Sequence, residues 1–131
     1  MRPSTQETPR RQPLVLIADD DADFLRLAAW ELDGLGLRLR QAHDGLQAVL
    51  RLGDVVPDLV IVDVDMPAMD GLLLVRQIRM TPELRRTQVL VVTGKGGPET
   101  RAKALSLGAN GYLQKPFDPA TFRGVVLSLL P

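Results

Sequence analysis

Leu59-Val60-Ile61-Val62-Asp63-Val64-Asp65-Met66-Pro67-Ala68-Met69-Asp70-Gly71, followed by Leu74, Val75 and Ile78, reads as a strand, a turn and a helix in succession. Four consecutive aliphatic residues suit a strand buried on both faces, because a strand covered on one face would alternate with polar residues. Pro67 and Gly71 punctuate the turn, and positions 74, 75 and 78 lie on one helical face. A buried strand running into a helix is the repeating unit of a parallel sheet. Asp63 and Asp65 stand where this strand ends.

The same unit recurs on either side. Leu14 to Ala18 is a second fully apolar strand, and Asp19-Asp20-Asp21 after it supplies N-cap chemistry for a helix from about Ala22 to Asp33. Phe24, Leu27, Ala28 and Leu32 form its expected inner face, and Gly34 and Gly36 end it. Leu37 to Ala42 alternates as an edge strand does. Asp44-Gly45 opens a helix carrying Leu46, Val49 and Leu50, which Pro57 closes off. Downstream, Val89 to Val92 is a strand ending at Thr93. Gly94, Gly96 and Gly97 make a flexible loop before a helix from about Pro98 to Leu107. A short strand around Tyr112-Leu113 and a helix from Asp118 to Leu130 complete the pattern.

Five βα units in 131 residues imply an α/β domain, a parallel sheet with helices on both faces. Right-handed crossovers place the C-terminal ends of all strands on one edge, where ligands bind in open sheets. Asp19, Asp20, Asp63, Thr93 and Lys115 all fall at that edge, although they lie far apart in sequence.

Composition narrows the chemistry. Sixteen basic residues balance 16 acidic ones, so no whole-molecule charge draws the chain to nucleic acid or to an anionic membrane. The absence of cysteine excludes disulfides, thiol catalysis and thiolate zinc sites. No apolar run approaches the roughly 20 residues a membrane span requires, and no apolar stretch follows the early arginines as in a secretory signal. The expected location is the cytoplasm. Residues 1–13, with Pro3, Pro9, Pro13 and Arg10-Arg11, read as a flexible tail, leaving 14–131 as the domain.

Carboxylates gathered at one sheet edge repel unless protons or a cation intervene, so the edge suits a hard, oxygen-seeking metal. Asp19-Asp20-Asp21 could instead only cap a helix; the acid ending the strand at Asp63 favours the metal, with Asp21 left as the cap. Asp63 could be a solvated strand end, Thr93 a β-branched strand residue and Lys115 a surface lysine. His43, the single histidine, reads as a surface residue. Gly94-Lys95-Gly96-Gly97 lacks the spacing of a phosphate-binding loop. Trp30, off the expected inner face with Leu25 and Ala29, is either a docking patch or ordinary packing.

Taken together, Leu16-Ile17-Ala18-Asp19-Asp20-Asp21, Asp58 to Gly71, Val91-Val92-Thr93-Gly94, Gly108-Ala109-Asn110-Gly111-Tyr112-Leu113 and Lys115-Pro116-Phe117 resemble a bacterial response-regulator receiver domain. The resemblance runs from about Leu14 to the chain end. It implies a doubly wound, flavodoxin-like (βα)5 fold with strand order 2-1-3-4-5, a property of the family and not one read from these residues. It further implies a phosphorylation-dependent switch of a two-component system, with Asp63 accepting a phosphoryl group from a sensor histidine kinase or histidine phosphotransfer protein. Mg²⁺ would be bound by Asp20, Asp63 and the main-chain carbonyl of Asp65, with Asp19 acting through water. Thr93 would hydrogen-bond the phosphoryl group, and Lys115 would pair with Asp63 or with that group. The bond before Pro116 would be cis.

In such domains Thr93 and Tyr112 move together, remodelling the surface of the fourth helix, fifth strand and fifth helix that a downstream protein target reads. The chain would then be a phosphoacceptor, catalysing at most its own phosphorylation and dephosphorylation. It would act alone through protein contacts, without nucleic acid or membrane insertion; its oligomeric state is left open.

Two alternatives stand beside this. Asp63-Val64-Asp65 imitates the nucleophile and acid/base pair of haloacid-dehalogenase-like phosphatases, though that motif normally follows the first strand and leaves Asp19-Asp20 unexplained. A receiver fold kept purely as a binding module is the other. Finally, Asp65 and Lys95, two residues beyond Asp63 and Thr93, are expected to form a salt bridge over the site entrance and alter attack by water.

Overall fold

The computed structural model describes residues 12–131. The expected tail, apart from Gln12 and Pro13, lies outside the described residues. Five strands, β1 (Leu14–Ala18), β2 (Arg38–Ala42), β3 (Leu59–Val62), β4 (Gln88–Thr93) and β5 (Gly111–Gln114), form one sheet in the order β2-β1-β3-β4-β5, every pair parallel. The helices are α1 (Ala22–Leu32), α2 (Gly45–Leu52), α3 (Gly71–Arg79), α4 (Pro98–Ser106) and α5 (Pro119–Leu129), with a 3₁₀ turn at Pro82–Leu84.

The two-residue period of the strands splits the core into two layers. Val15, Ile17, Leu59, Ile61, Leu90 and Val92 face α1 and α5 and meet Phe24, Leu25, Phe122 and Val126. Leu16, Ala18, Val60, Val62, Val89 and Val91 face the other way, against Leu74, Val75 and Ile78 of α3 and Ala104 of α4. Burial of each of the Val, Leu, Ile and Phe side chains stabilises the fold by about 1.5–3 kcal/mol.

Acidic caps start four helices. The side chains of Asp21, Asp44, Asp70 and Asp118 accept amide hydrogens from the first turns of α1, α2, α3 and α5. The fourth helix is the exception: Gly97 precedes it without a side-chain cap, and only Ala104 in it is fully buried.

Expectations about helix faces need correction. In α1 Leu25 is buried and Leu27 is 41% exposed, so the inner stripe is Phe24, Leu25, Ala28 and Leu32. The Leu25 carbonyl accepts the Gln41 side-chain N–H at 3.3 Å on the β2 side, while Leu27 stands with Pro116 and Phe117 at an open surface pocket. In α2 the small residues Gly45 and Ala48 form the buried contact, leaving Leu46 and Leu50 outside. A side chain at Gly45 would collide with Met69, so close approach of the α3 turn selects that face.

Candidate functional site

The sheet ladder itself positions the acids. Asp19, Asp63 and Lys115 each follow the last residue of a strand by no more than one position, and their amides continue the pairing. Asp19 N–H donates to the Ala42 carbonyl (3.0 Å), Asp63 N–H to Ala18 (3.0 Å) and Lys115 N–H to Thr93 (2.9 Å). Asp63 is further fixed from behind, because Gly71 N–H donates to the Val64 carbonyl (2.9 Å) and packs its bare α-carbon against the Asp63 carbonyl group. Any Cβ at position 71 would collide with that carbonyl. Ala68 turns the intervening loop with φ 71°, a left-handed conformation that a residue with a Cβ adopts at a cost.

One carboxylate oxygen each from Asp19, Asp20 and Asp63 comes within 4.8 Å of the other two. Asp19 and Asp63 are buried and Asp20 is exposed. Unit charges 4 Å apart near a protein surface repel by about 4 kcal/mol, so three such carboxylates need a counter-charge. Part of it is Lys115, whose Nζ lies 2.7 Å from Asp19 Oδ2. The other Asp19 oxygen, Oδ1, accepts the Asp21 N–H at 2.9 Å. Burial nonetheless pushes the Asp19 carboxyl up to about 6; the Lys115 and Asp21 hydrogen bonds pull it down, and the Asp63 charge adds to the rise.

Of the two partners the resemblance implies for Lys115, Asp63 and a bound phosphoryl group, Asp63 does not hold the ammonium here; Asp19 does. The physical reason is burial: Asp19 is 1% exposed and needs the ammonium more than Asp63, which is 8% exposed at the opening. Phe24 stands on another side of the same ammonium, its ring centroid 4.1 Å from Nζ. The sequence reading placed Phe24 in the core only, since nothing in helical spacing shows which cation a ring will face. The Lys115–Pro116 bond is cis.

Thr93 is fully buried, and its Oγ1 accepts the Lys95 N–H at 3.1 Å. The Lys95 side chain reaches across the edge to Asp65, with Nζ 2.9 Å from Oδ2, so the expected salt bridge is present. Asp65 holds the Lys95 ammonium in its charged form, raising its titration above the ordinary lysine value. Asp65 N–H in turn donates to Asp63 Oδ1 at 3.2 Å. Asp63, Asp65, Lys95 and Thr93 are therefore linked in one chain of polar contacts across two loops.

Tyr112, on β5, packs partly against the α3/α4 layer of the core, and its buried hydroxyl has no hydrogen-bond partner among the described residues. A Cβ at Gly96 would strike that hydroxyl, so the glycine loop after Thr93 lies directly over it. Trp30 is 79% exposed and stands outside the acidic site, as does exposed His43.

Two buried acids and one exposed acid would gain nothing from this arrangement as mere helix caps. The capping is done by Asp21, which leaves Asp19, Asp20 and Asp63 pointing at a common centre. An all-oxygen donor set of carboxylates fits a hard divalent cation such as Mg²⁺. Both oxygens of Asp19 are already engaged, which leaves Asp20 and Asp63 as the carboxylates better able to contact an ion directly.

Comparison with known proteins agrees with this geometry. Residues 15–126 match the response regulator receiver domain family. Chemotaxis protein CheY-3 of Vibrio cholerae is 38% identical over 112 residues, covering 83% of this chain and 85% of its own length. The transcriptional regulatory protein CpxR of Klebsiella pneumoniae is likewise 38% identical, but the chain spans only 43% of it. The chain similarly spans 52% of a PhoB relative and 15% of a gliding motility regulatory protein. The chemotaxis response regulator CheY4 of Vibrio cholerae superposes with a TM-score of 0.85 at 30% identity, over 92% of this chain and all of that one. No helix among the described residues is long and apolar enough to cross a membrane. This chain, built on five parallel strands with its acids at their C-terminal edge, belongs to the response-regulator receiver domain family.

Proposed function

We propose that the domain is a phosphorylation-dependent signalling switch in which Asp63 is the phosphoacceptor. The observation that carries this reading is the meeting of Asp19, Asp20 and Asp63 within 4.8 Å beside Lys115 at the end of the sheet. The donor would be a phosphohistidine on a sensor kinase or phosphotransfer protein. An Asp63 carboxylate oxygen attacks phosphorus, the phosphorus–nitrogen bond breaks, and the imidazole leaves and takes up a proton. The product is an acyl phosphate on Asp63, which water later hydrolyses.

Asp20, Asp63 and the Asp65 main-chain carbonyl would hold Mg²⁺, with Asp19 contributing through water. Bound there, the ion would offset the repulsion between the incoming phosphoryl group and the acids. The rest of the site acts through its own side chains. Lys115, held on Asp19 at 2.7 Å, supplies a second positive charge whose remaining hydrogens can meet a phosphoryl oxygen. Thr93 offers a hydroxyl that can give up its contact with the Lys95 amide and donate to the modified Asp63. Tyr112, with its hydroxyl orphaned under Gly96, is placed to respond when that loop moves, changing the α4-β5-α5 surface that a protein target would read.

The haloacid-dehalogenase-like alternative required Asp65 as a free acid/base; its side chain instead pairs with Lys95. Receiver domains are phosphoacceptors, so no turnover of outside substrates is assigned. The test is incubation with acetyl phosphate and Mg²⁺ followed by intact-mass measurement. Wild type should gain one phosphoryl group and Asp63→Ala none; an unlabelled wild type, or equal labelling of both, overturns the reading.

A further inference from the structure

We infer that Phe24 is a positioning residue for Lys115, its ring face holding the ammonium beside Asp19 at the phosphoryl site. This rests on Asp63 as the phosphoacceptor. Phe24 is 5% exposed and sits in the first turn of α1, whereas Lys115 follows β5, 91 positions later in the chain. The ammonium lies between a carboxylate oxygen at 2.7 Å and the ring centroid at 4.1 Å.

The ring is itself held. Phe117 and Phe122 stack on each other with centroids 5.1 Å apart, and each meets Phe24 edge-on at 6.0 Å. Phe117 follows the cis Lys115–Pro116 bond by one residue, so the loop that carries the ammonium also braces the ring that receives it.

The choice of a ring has a chemical reason. An aromatic face attracts a cation through its quadrupole without carrying net charge. A further carboxylate in that position would hold Lys115 as well, but it would add a negative charge where an anionic phosphoryl group must arrive. The ring also accepts no conventional hydrogen bond from the ammonium. Of the three ammonium hydrogens one goes to Asp19, and the others stay free for phosphoryl oxygens. A leucine in place of Phe24 would fill much of the volume yet offer nothing to the charge, and the ammonium would turn toward water.

Two measurements test this together. In NMR spectra the ε-methylene protons of Lys115 should be shifted upfield by the ring current in wild type and in Phe24→Tyr, and return to ordinary lysine positions in Phe24→Leu. The rate of Mg²⁺-dependent acetyl-phosphate labelling should fall about threefold or more in Phe24→Leu and stay within about twofold in Phe24→Tyr. With Lys115→Met already present, Phe24→Leu should cause no further loss. An equal loss in both backgrounds would mean that Phe24 acts only by packing, and unshifted Lys115 protons in wild type would overturn the contact itself. If wild type takes no phosphoryl group, the proposed function falls, and the ring-current shift alone decides the placement of Lys115.

Discussion

The two edges of the sheet are finished in opposite ways. At the N-terminal edge, polar groups are matched to one another. Arg79 leaves the end of α3 and donates to the carbonyls of Gly108 (2.9 Å) and Thr87 (2.7 Å) and to Asn110 Oδ1 (2.8 Å). Asn110 Oδ1 also takes the Val89 N–H, the Thr87 hydroxyl donates to the Pro57 carbonyl, and Asp58 takes the Leu14 N–H. At the C-terminal edge Asp19, Asp20 and Asp63 gather within 4.8 Å of one another, and among the described residues only Asp19 of the three is paired with an ammonium, that of Lys115. One edge spends its polar groups on joining loops; the other keeps charge unsatisfied so that something else can bind. Matched polar contacts and clustered charge thus occupy opposite ends of the same strands.

This contrast can be broken by exchanging the expected effects. The largest stability change should come from Arg79→Ala, which leaves several half-buried acceptors unmatched. About 3 kcal/mol should be lost, or about 10 °C in Tm, while acetyl-phosphate labelling of the folded protein persists. Loss of labelling with unchanged Tm would reverse the assignment. Asp63→Asn should do the opposite at the other edge. Removing one of three repelling charges should stabilise the metal-free protein by about 1–3 kcal/mol, abolish labelling and reduce the Tm gain from added Mg²⁺. A denaturant titration with and without Mg²⁺ reads both effects, and a destabilised Asp63→Asn would contradict the crowding argument.

Smaller changes sharpen the picture. Ala68→Gly relieves a left-handed backbone at φ 71° and should raise stability by about 1 kcal/mol, seen as a higher denaturation midpoint. At the exposed Lys95–Asp65 pair the effect should be kinetic. Asp65→Asn and Lys95→Ala should each change the dephosphorylation rate a fewfold with Tm almost unmoved, as suits a surface ion pair. Unchanged rates in both variants would show that the pair does not govern the approach of water.

The gathering of acids at one edge was legible because strand ends are. A run such as Leu59–Val62 specifies its own burial, and parallel topology then gathers whatever follows each run. The Lys95–Asp65 pair was legible for the same reason, since Asp65 lies three positions beyond β3 and Lys95 two beyond the neighbouring β4. What was hidden depends on side-chain reach. Arg79 reads as one more charged residue on a helix, yet its guanidinium spans to Gly108 and Asn110, some thirty positions away in sequence. Leu25 and Leu27 compete for the inner face of α1, and helical spacing admits either. The docking of α1 on the sheet decides it, burying Leu25 and leaving Leu27 41% exposed. The resemblance implied Asp63 or a bound phosphoryl group as the partner of Lys115; in this structure the ammonium lies 2.7 Å from the more deeply buried Asp19.

The most direct test is to find where a phosphoryl label lands. After reaction with acetyl phosphate and Mg²⁺, proteolysis and tandem mass spectrometry should place the label on Asp63, with none when the ion is chelated. A label on Asp20 or His43, or a label on Asp63 that does not depend on Mg²⁺, would contradict the account.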